Sequence, residues 1–173
     1  MSEKEFAMIA MALKTYFPRE NILPNDKAMD LWYEQLKDIP YQVVETVLKK
    51  WVSLNKWSPS IADIREMASE ITQGVIPDWG EAWLEVQKAV RYYGSYRADE
   101  AMDSLSPLAR QATERIGFMN LCMSENPDAS RANFRMIYES LSERAKKEAQ
   151  IPQTLKELIT NIKLLEGGNE KNN

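Results

Sequence analysis

The chain has 173 residues, 44% hydrophobic and 28% charged, with 22 Lys and Arg against 26 Asp and Glu, a net charge of −4. Those proportions are ordinary for soluble globular chains and exclude intrinsic disorder as the general state, and the length suits one domain or two small ones. The charge also excludes a generally basic nucleic-acid module: residues 1–75 hold 9 cations against 11 acids and the rest 13 against 15, so any phosphate contact must come from a local patch.

Ser2 with Glu5 reads as a capping box, and Phe6, Ile9, Ala10, Leu13 and Phe17 recur at helical spacing until Pro18 stops the pattern. Pro24-Asn25-Asp26 opens a second helix with Ala28, Leu31, Trp32 and Leu36 inward. Asp38 and Pro40 begin a third, carrying Val43, Val44, Val47, Leu48, Trp51 and Val52. Ser58-Pro59 opens a fourth, with Ser60 and Asp63 as an alternative capping register, ahead of a stripe of Ile61, Ile64, Met67, Ala68 and Ile71. Residues 1–73 are therefore expected to form a four-helix bundle.

Gln73-Gly74-Val75-Ile76-Pro77 breaks the pattern, and residues 74–77 read as a linker. Asp78 with Glu81 starts a fifth helix of Trp79, Ala82, Trp83, Val86, Ala89, Val90 and Tyr93, ended by Gly94. A short helix around Glu100 to Leu105 follows, then one from Ser106-Pro107 to Gly117, and a turn or two over Phe118 to Met123. Asn126-Pro127-Asp128 opens a longer helix with Phe134, Ile137, Tyr138, Leu141 and Ala145 on one face, ended by Pro152, and a last helix runs from about Thr154 to Leu165. The fold class is all-α, a small helical bundle followed by a second helical domain over residues 78–166, and the glycine-rich residues 167–173 read as a disordered tail.

Chemistry is conspicuous by what is missing. Without histidine, Ser-His and Cys-His pairs and histidine zinc sites are excluded. Gly74 and Gly80 have the wrong spacing for a P-loop and precede Glu81. Cys122 is the only cysteine, which rules out an intramolecular disulfide and a multi-cysteine zinc site, and its apolar neighbours Leu121 and Met123 favour a buried thiol. Asp99, Glu100 and Asp103 read as a solvated helix face rather than a magnesium site. The chain is thus expected to be no enzyme and to need no cofactor or metal. The start lacks a signal peptide's basic region and apolar run, and no window approaches 18 uninterrupted apolar residues, so a cytoplasmic protein with no membrane step is expected.

Binding candidates remain. Arg131 and Arg135 fall with Lys146 on one flank of the long helix, and Arg91-Tyr92-Tyr93-Gly94-Ser95-Tyr96-Arg97 mixes cations with rings in the manner of single-strand binders. Flank residues covering the core edge, and a helix end with one core tyrosine, explain the same patterns. Trp57 sits at a turn where its ring is expected to stay partly exposed. Leu155, Leu158, Ile159, Ile162 and Leu165 form a stripe that suits a partner's groove or a final core helix equally.

The run Thr15-Tyr16-Phe17-Pro18, Pro24, Trp32, Leu36, Asp38-Ile39-Pro40-Tyr41 and Trp57-Ser58-Pro59-Ser60-Ile61-Ala62-Asp63-Ile64 resembles the N-terminal domain of phage helicase loader-and-inhibitor proteins, over about residues 1–75. Arg91-Tyr92-Tyr93-Gly94 and Arg115-Ile116-Gly117-Phe118 look like segments of phage replication proteins. The resemblance implies an adaptor in DNA replication that binds and restrains a replicative hexameric helicase and delivers it to an origin-bound initiator protein. It implies helicase contact through the C-terminal part, here Leu155, Leu158, Ile162 and Leu165; Trp57, as an exposed ring, is a separate partner-binding candidate. The alternative is an accessory protein that contacts DNA through Arg91, Arg97, Arg131 and Arg135.

Overall fold

The structure, a computed structural model, describes the backbone of residues 1–169 and side chains as far as Ile162. It is all-α, with ten α-helices and no strand among the described residues. The chain divides into two compact units, Met1–Gly74 with the segment from Glu148 onward, and Val75–Lys147.

In the first unit α1 (Glu3–Tyr16) is capped by the expected Ser2/Glu5 box, and Asn25 caps α2 (Asp26–Leu36) by accepting from the Ala28 N–H. No side chain caps α3 (Tyr41–Leu54), because its N-cap position is Pro40, whose ring offers no hydrogen-bond acceptor. The start of α4 (Ile61–Gln73) takes the Ser60/Asp63 register, and the Ser58 that was expected to open it gives both its N–H and its hydroxyl to the Glu20 carboxylate. Phe6, Ile9, Leu13, Leu36, Val44, Val47, Leu48, Ile64 and Ala68 close the core. Three expected core residues, Ala28, Leu31 and Ile71, do not join it. On α2 the packed stripe is Met29, Trp32, Tyr33 and Leu36, which leaves Leu31 about 150° around the helix and exposed. Ile71 lies on the α4 stripe but in its last turn, past the buried Ala68, and is also exposed.

In the second unit Asp78 and Glu81 form the capping box of α5 (Trp79–Tyr93), which ends at Gly94 with φ +63°, a conformation that suits a residue lacking Cβ. A 3₁₀ turn (Ser95–Arg97) leads into α6 (Ala98–Asp103), two residues earlier than the sequence pattern suggests, then α7 (Pro107–Ile116) and α8 (Phe118–Cys122). The long α9 (Pro127–Gln150) lays Phe134, Tyr138 and Leu141 into a core with Ala82, Trp83, Val86, Ala89, Ala109, Ala112 and Phe118. Trp83 meets Phe134 with ring centroids 5.2 Å apart, and the Tyr138 hydroxyl donates to the Pro77 carbonyl at 3.0 Å. The α9 face runs antiparallel to α5, since Phe134 faces Trp83 while Tyr138 reaches back to Pro77.

The last helix, α10 (Gln153–Asn169), clusters with the first unit, whereas the sequence pattern places it with the second. Polar bonds at its start explain the difference: the buried Arg65 side chain on α4 donates to the Gln150 carbonyl, and the Gln153 N–H donates to Asp38. Gly167, Gly168 and Asn169, read from composition as tail, belong to α10, as glycine costs a helix only about 1 kcal/mol per residue against alanine. Residues 170–173 lie outside the described residues.

Candidate partner-binding surfaces

Trp57 stands on the turn between α3 and α4, and two bonds fix that turn. The Trp51 indole N–H donates to the Trp57 carbonyl at 2.7 Å, and Ser58 is tied to Glu20. The backbone is therefore held while the Trp57 ring projects outward, 75% exposed. A large ring presented on a braced turn loses little conformational freedom when a partner covers it.

On α10, Leu155, Leu158, Ile159 and Ile162 are all exposed and fall within about 100° of one another at 100° per residue. Of the two readings open in the sequence, a final core helix does not apply to these four side chains. Leu165 lies outside the residues whose side chains are described. Trp57 and the base of α10 are not neighbours: Asp38, on which α10 begins, precedes α3, and Trp57 follows it, about 21 Å apart along a 14-residue helix.

The base of α10 is the most heavily bonded polar node in the described chain. The guanidinium of Arg65, 7% exposed, makes a two-pronged bond with the Asp38 carboxylate at 2.8 and 2.9 Å, donates to the Gln35 carbonyl at 2.6 Å, and donates through Nε to the Gln150 carbonyl. Asp38 also accepts from the Gln153 N–H at 3.3 Å. Burial opposes the Asp38 charge, but the hydrogen bonds and positive charge of Arg65 outweigh it and hold the carboxyl below its usual pKa. Sequence reasoning missed this node, although a signal was present. Arg65 occupies a core position of the Ile61, Ile64, Ala68 stripe, where a charge requires a buried partner.

The four arginines singled out for nucleic acid fall into two groups. Arg131 and Arg135 both lie over the Trp79 ring, at 5.2 and 4.9 Å from its centroid, and Arg135 pairs with Glu139 at 2.8 Å. Arg97 covers Tyr92 and Tyr93 at 5.6 and 5.0 Å, donates to the Tyr92 carbonyl and pairs with Glu100 at 3.5 Å. These three guanidiniums already have partners. Arg91 is different: it is exposed, as are Tyr92 and Tyr96, and borders an open cleft of about 620 Å³ with Glu85, Lys88, Tyr92 and Tyr93. Trp79 and Arg91 stand near opposite ends of α5, about 18 Å apart, so the two groups are not one patch.

Asp103 is paired with Arg110 at 2.9 Å and Glu100 with Arg97, while burial pushes the Cys122 thiol up and away from the thiolate form. No group of metal-ligating side chains and no helix long and apolar enough to cross a membrane is present among the described residues.

Comparison with known proteins adds one match: the family model for the phage helicase loader/inhibitor N-terminal domain aligns with residues 1–65, which are similar to that domain from α1 into the first turns of α4. Neither the curated proteins nor the solved structures contain a match to the chain.

Proposed function

We propose that this chain is a non-enzymatic adaptor of phage DNA replication that binds, restrains and loads a replicative hexameric helicase in the cytoplasm of a bacterial host. The observation that carries the reading is the match of residues 1–65 to the helicase loader/inhibitor N-terminal domain. The presented surfaces support it physically. The α10 face of Leu155, Leu158, Ile159 and Ile162 has the i, i+3, i+4, i+7 spacing with which an amphipathic helix fills a partner's groove, and Trp57 adds a second apolar anchor. Leu165 continues the same spacing in the sequence. An adaptor of this kind acts by binding alone, which a chain without histidine or P-loop can do. An origin-binding initiator is the second partner in this reading.

Co-purification with a replicative hexameric helicase tests it. The proposal expects a complex that survives gel filtration at micromolar concentration, with ATP or without. Failure to co-elute under both conditions contradicts it.

Direct DNA contact is a second reading, favoured by one observation, the exposed Arg91 on the same cleft as the exposed ring of Tyr92. Stacking on rings with a few phosphate contacts gives single-strand binding that weakens as salt rises. In this reading Arg91→Ala weakens binding to a labelled oligonucleotide and flattens its salt dependence, whereas Arg97, Arg131 and Arg135, already engaged within the unit, contribute less. Binding indifferent to salt contradicts it.

A further inference from the structure

A helix whose apolar face is uncovered lacks the packing that normally keeps helices folded. Isolated helices shorter than about 12–15 residues are marginal in water even when rich in alanine, because forming the first turn fixes several residues for one hydrogen bond. With 17 residues that include two glycines and several β-branched side chains, α10 is little better placed. The described side chains of α10 illustrate the problem: from Leu155 to Ile162 only Lys156 is even partly buried. Among the described residues, the contacts that hold α10 are at its first turn. Pro152 is buried, the Gln150 carbonyl is bonded by Arg65, and the Gln153 N–H, one of the four donors a helix start leaves unpaired, is bonded by Asp38. The Asp38 carboxylate also sits where the positive end of the α10 dipole favours an anion. Asp38 therefore does for α10, from 115 residues away, what a local capping residue does for an ordinary helix.

We infer that the Asp38–Arg65 pair nucleates α10 and holds its apolar face preformed, making these two side chains positioning residues for partner binding. Arg65 fixes the carboxylate in place with two bonds and fixes the incoming chain at Gln150; Asp38 then starts the helix at Gln153. Without the pair, the chain after Pro152 frays, and a partner must order it at the moment of binding. Apparent affinity then falls in proportion to the fraction of molecules in which the helix is formed. The consequence for affinity rests on the adaptor reading; the consequence for the helix does not.

Two variants test this in the full chain by different routes. Asp38→Asn removes the carboxylate charge. Gln153→Pro removes the N–H that Asp38 accepts at a first helical position where proline is tolerated, together with the side-chain bond from Gln153 to Glu157 at 3.2 Å, which Gln153→Ala removes alone as the control. Hydrogen exchange is followed at the α10 amides of residues 157–162 and at core amides of α1 and α3. The expected result is exchange at least about tenfold faster in α10 in both variants, the difference between a nucleated and an unnucleated turn. The core amides are unchanged in Gln153→Pro; in Asp38→Asn, which also leaves Arg65 without its carboxylate, they speed up only as far as the lost global stability requires. Affinity for the helicase falls by a similar factor, and Thr160→Ala with Asn161→Ala, two exposed sites where alanine raises helix propensity, restores both readouts in the Asp38→Asn background. Unchanged α10 exchange in both variants overturns the inference. So does loss of α10 and core protection together in Gln153→Pro, which leaves the Asp38–Arg65 pair intact, since α10 would then be part of the common core. A wild-type chain that fails to bind the helicase counts against the adaptor reading, and the exchange data still decide the role of the pair.

Discussion

At the scale of single residues, Arg65 and Asp38 decide the most. Removing one member of a buried pair leaves the other charge uncompensated, at about 3–5 kcal/mol, and Asp38 is 24% exposed, which places the cost near the lower end. Arg65→Ala is therefore expected to lower stability by about 3 kcal/mol in urea unfolding followed by tryptophan fluorescence. A cost under about 1 kcal/mol would mean that water replaces the pair easily. The sign of the pH effect follows from the depressed pKa of Asp38. Its stabilising contribution is complete above the ordinary carboxyl value near 4 and is lost as pH falls through the lower folded value, so wild type should lose stability below about pH 4 more steeply than Asp38→Asn. Ser60→Ala should cost about 1 kcal/mol through the lost cap, in the same assay. Neither Arg65 nor Asp38 could be assigned its role from local pattern alone, because the two partners are 27 residues apart and the bonded carbonyl of Gln150 is 85 residues away.

Helices were the most legible level. Ser2/Glu5, Ser60/Asp63 and Asp78/Glu81 mark starts, while Gly94 and Gly117 mark ends, because capping is a local hydrogen-bond problem whose solution shows in four or five consecutive residues. Faces were legible where the helix is long and flanked by partners on one side, as for Phe134, Tyr138 and Leu141. Phe134→Ala should cost about 3–5 kcal/mol, seen as faster exchange of amides in α5 and α9. Less legible was Leu31, since α2 offers two overlapping apolar stripes and only the positions of α1 and α4 select between them. Trp57 was readable as an exposed ring because a residue at a turn before Ser58-Pro59 has no helix face to bury. The apolar stripe of α10 has the composition of a core helix, and periodicity alone does not say whether another helix covers it.

At the scale of the whole molecule, helical periodicity pointed to an all-α chain and composition to one that is not generally basic, and the helical content agrees with the first. The proposed division of labour is a compact N-terminal unit that anchors and presents a helix, a second helical unit with its own closed core, and no chemistry beyond recognition. The grouping of α10 with the first unit was not legible, because it depends on main-chain bonds at Gln150 and Gln153 that leave no trace in side-chain pattern. Presentation of that helix to a replicative helicase is the central claim. The most direct measurement is a fluorescence titration of the labelled full chain with a purified hexameric helicase, comparing wild type with Leu158→Asp and Ile162→Asp. Both sites are exposed, so neither variant should change thermal stability by more than about 0.5 kcal/mol. The account predicts micromolar or tighter binding for wild type and at least a tenfold loss for each variant; absent wild-type binding, or equal binding by all three chains, contradicts it.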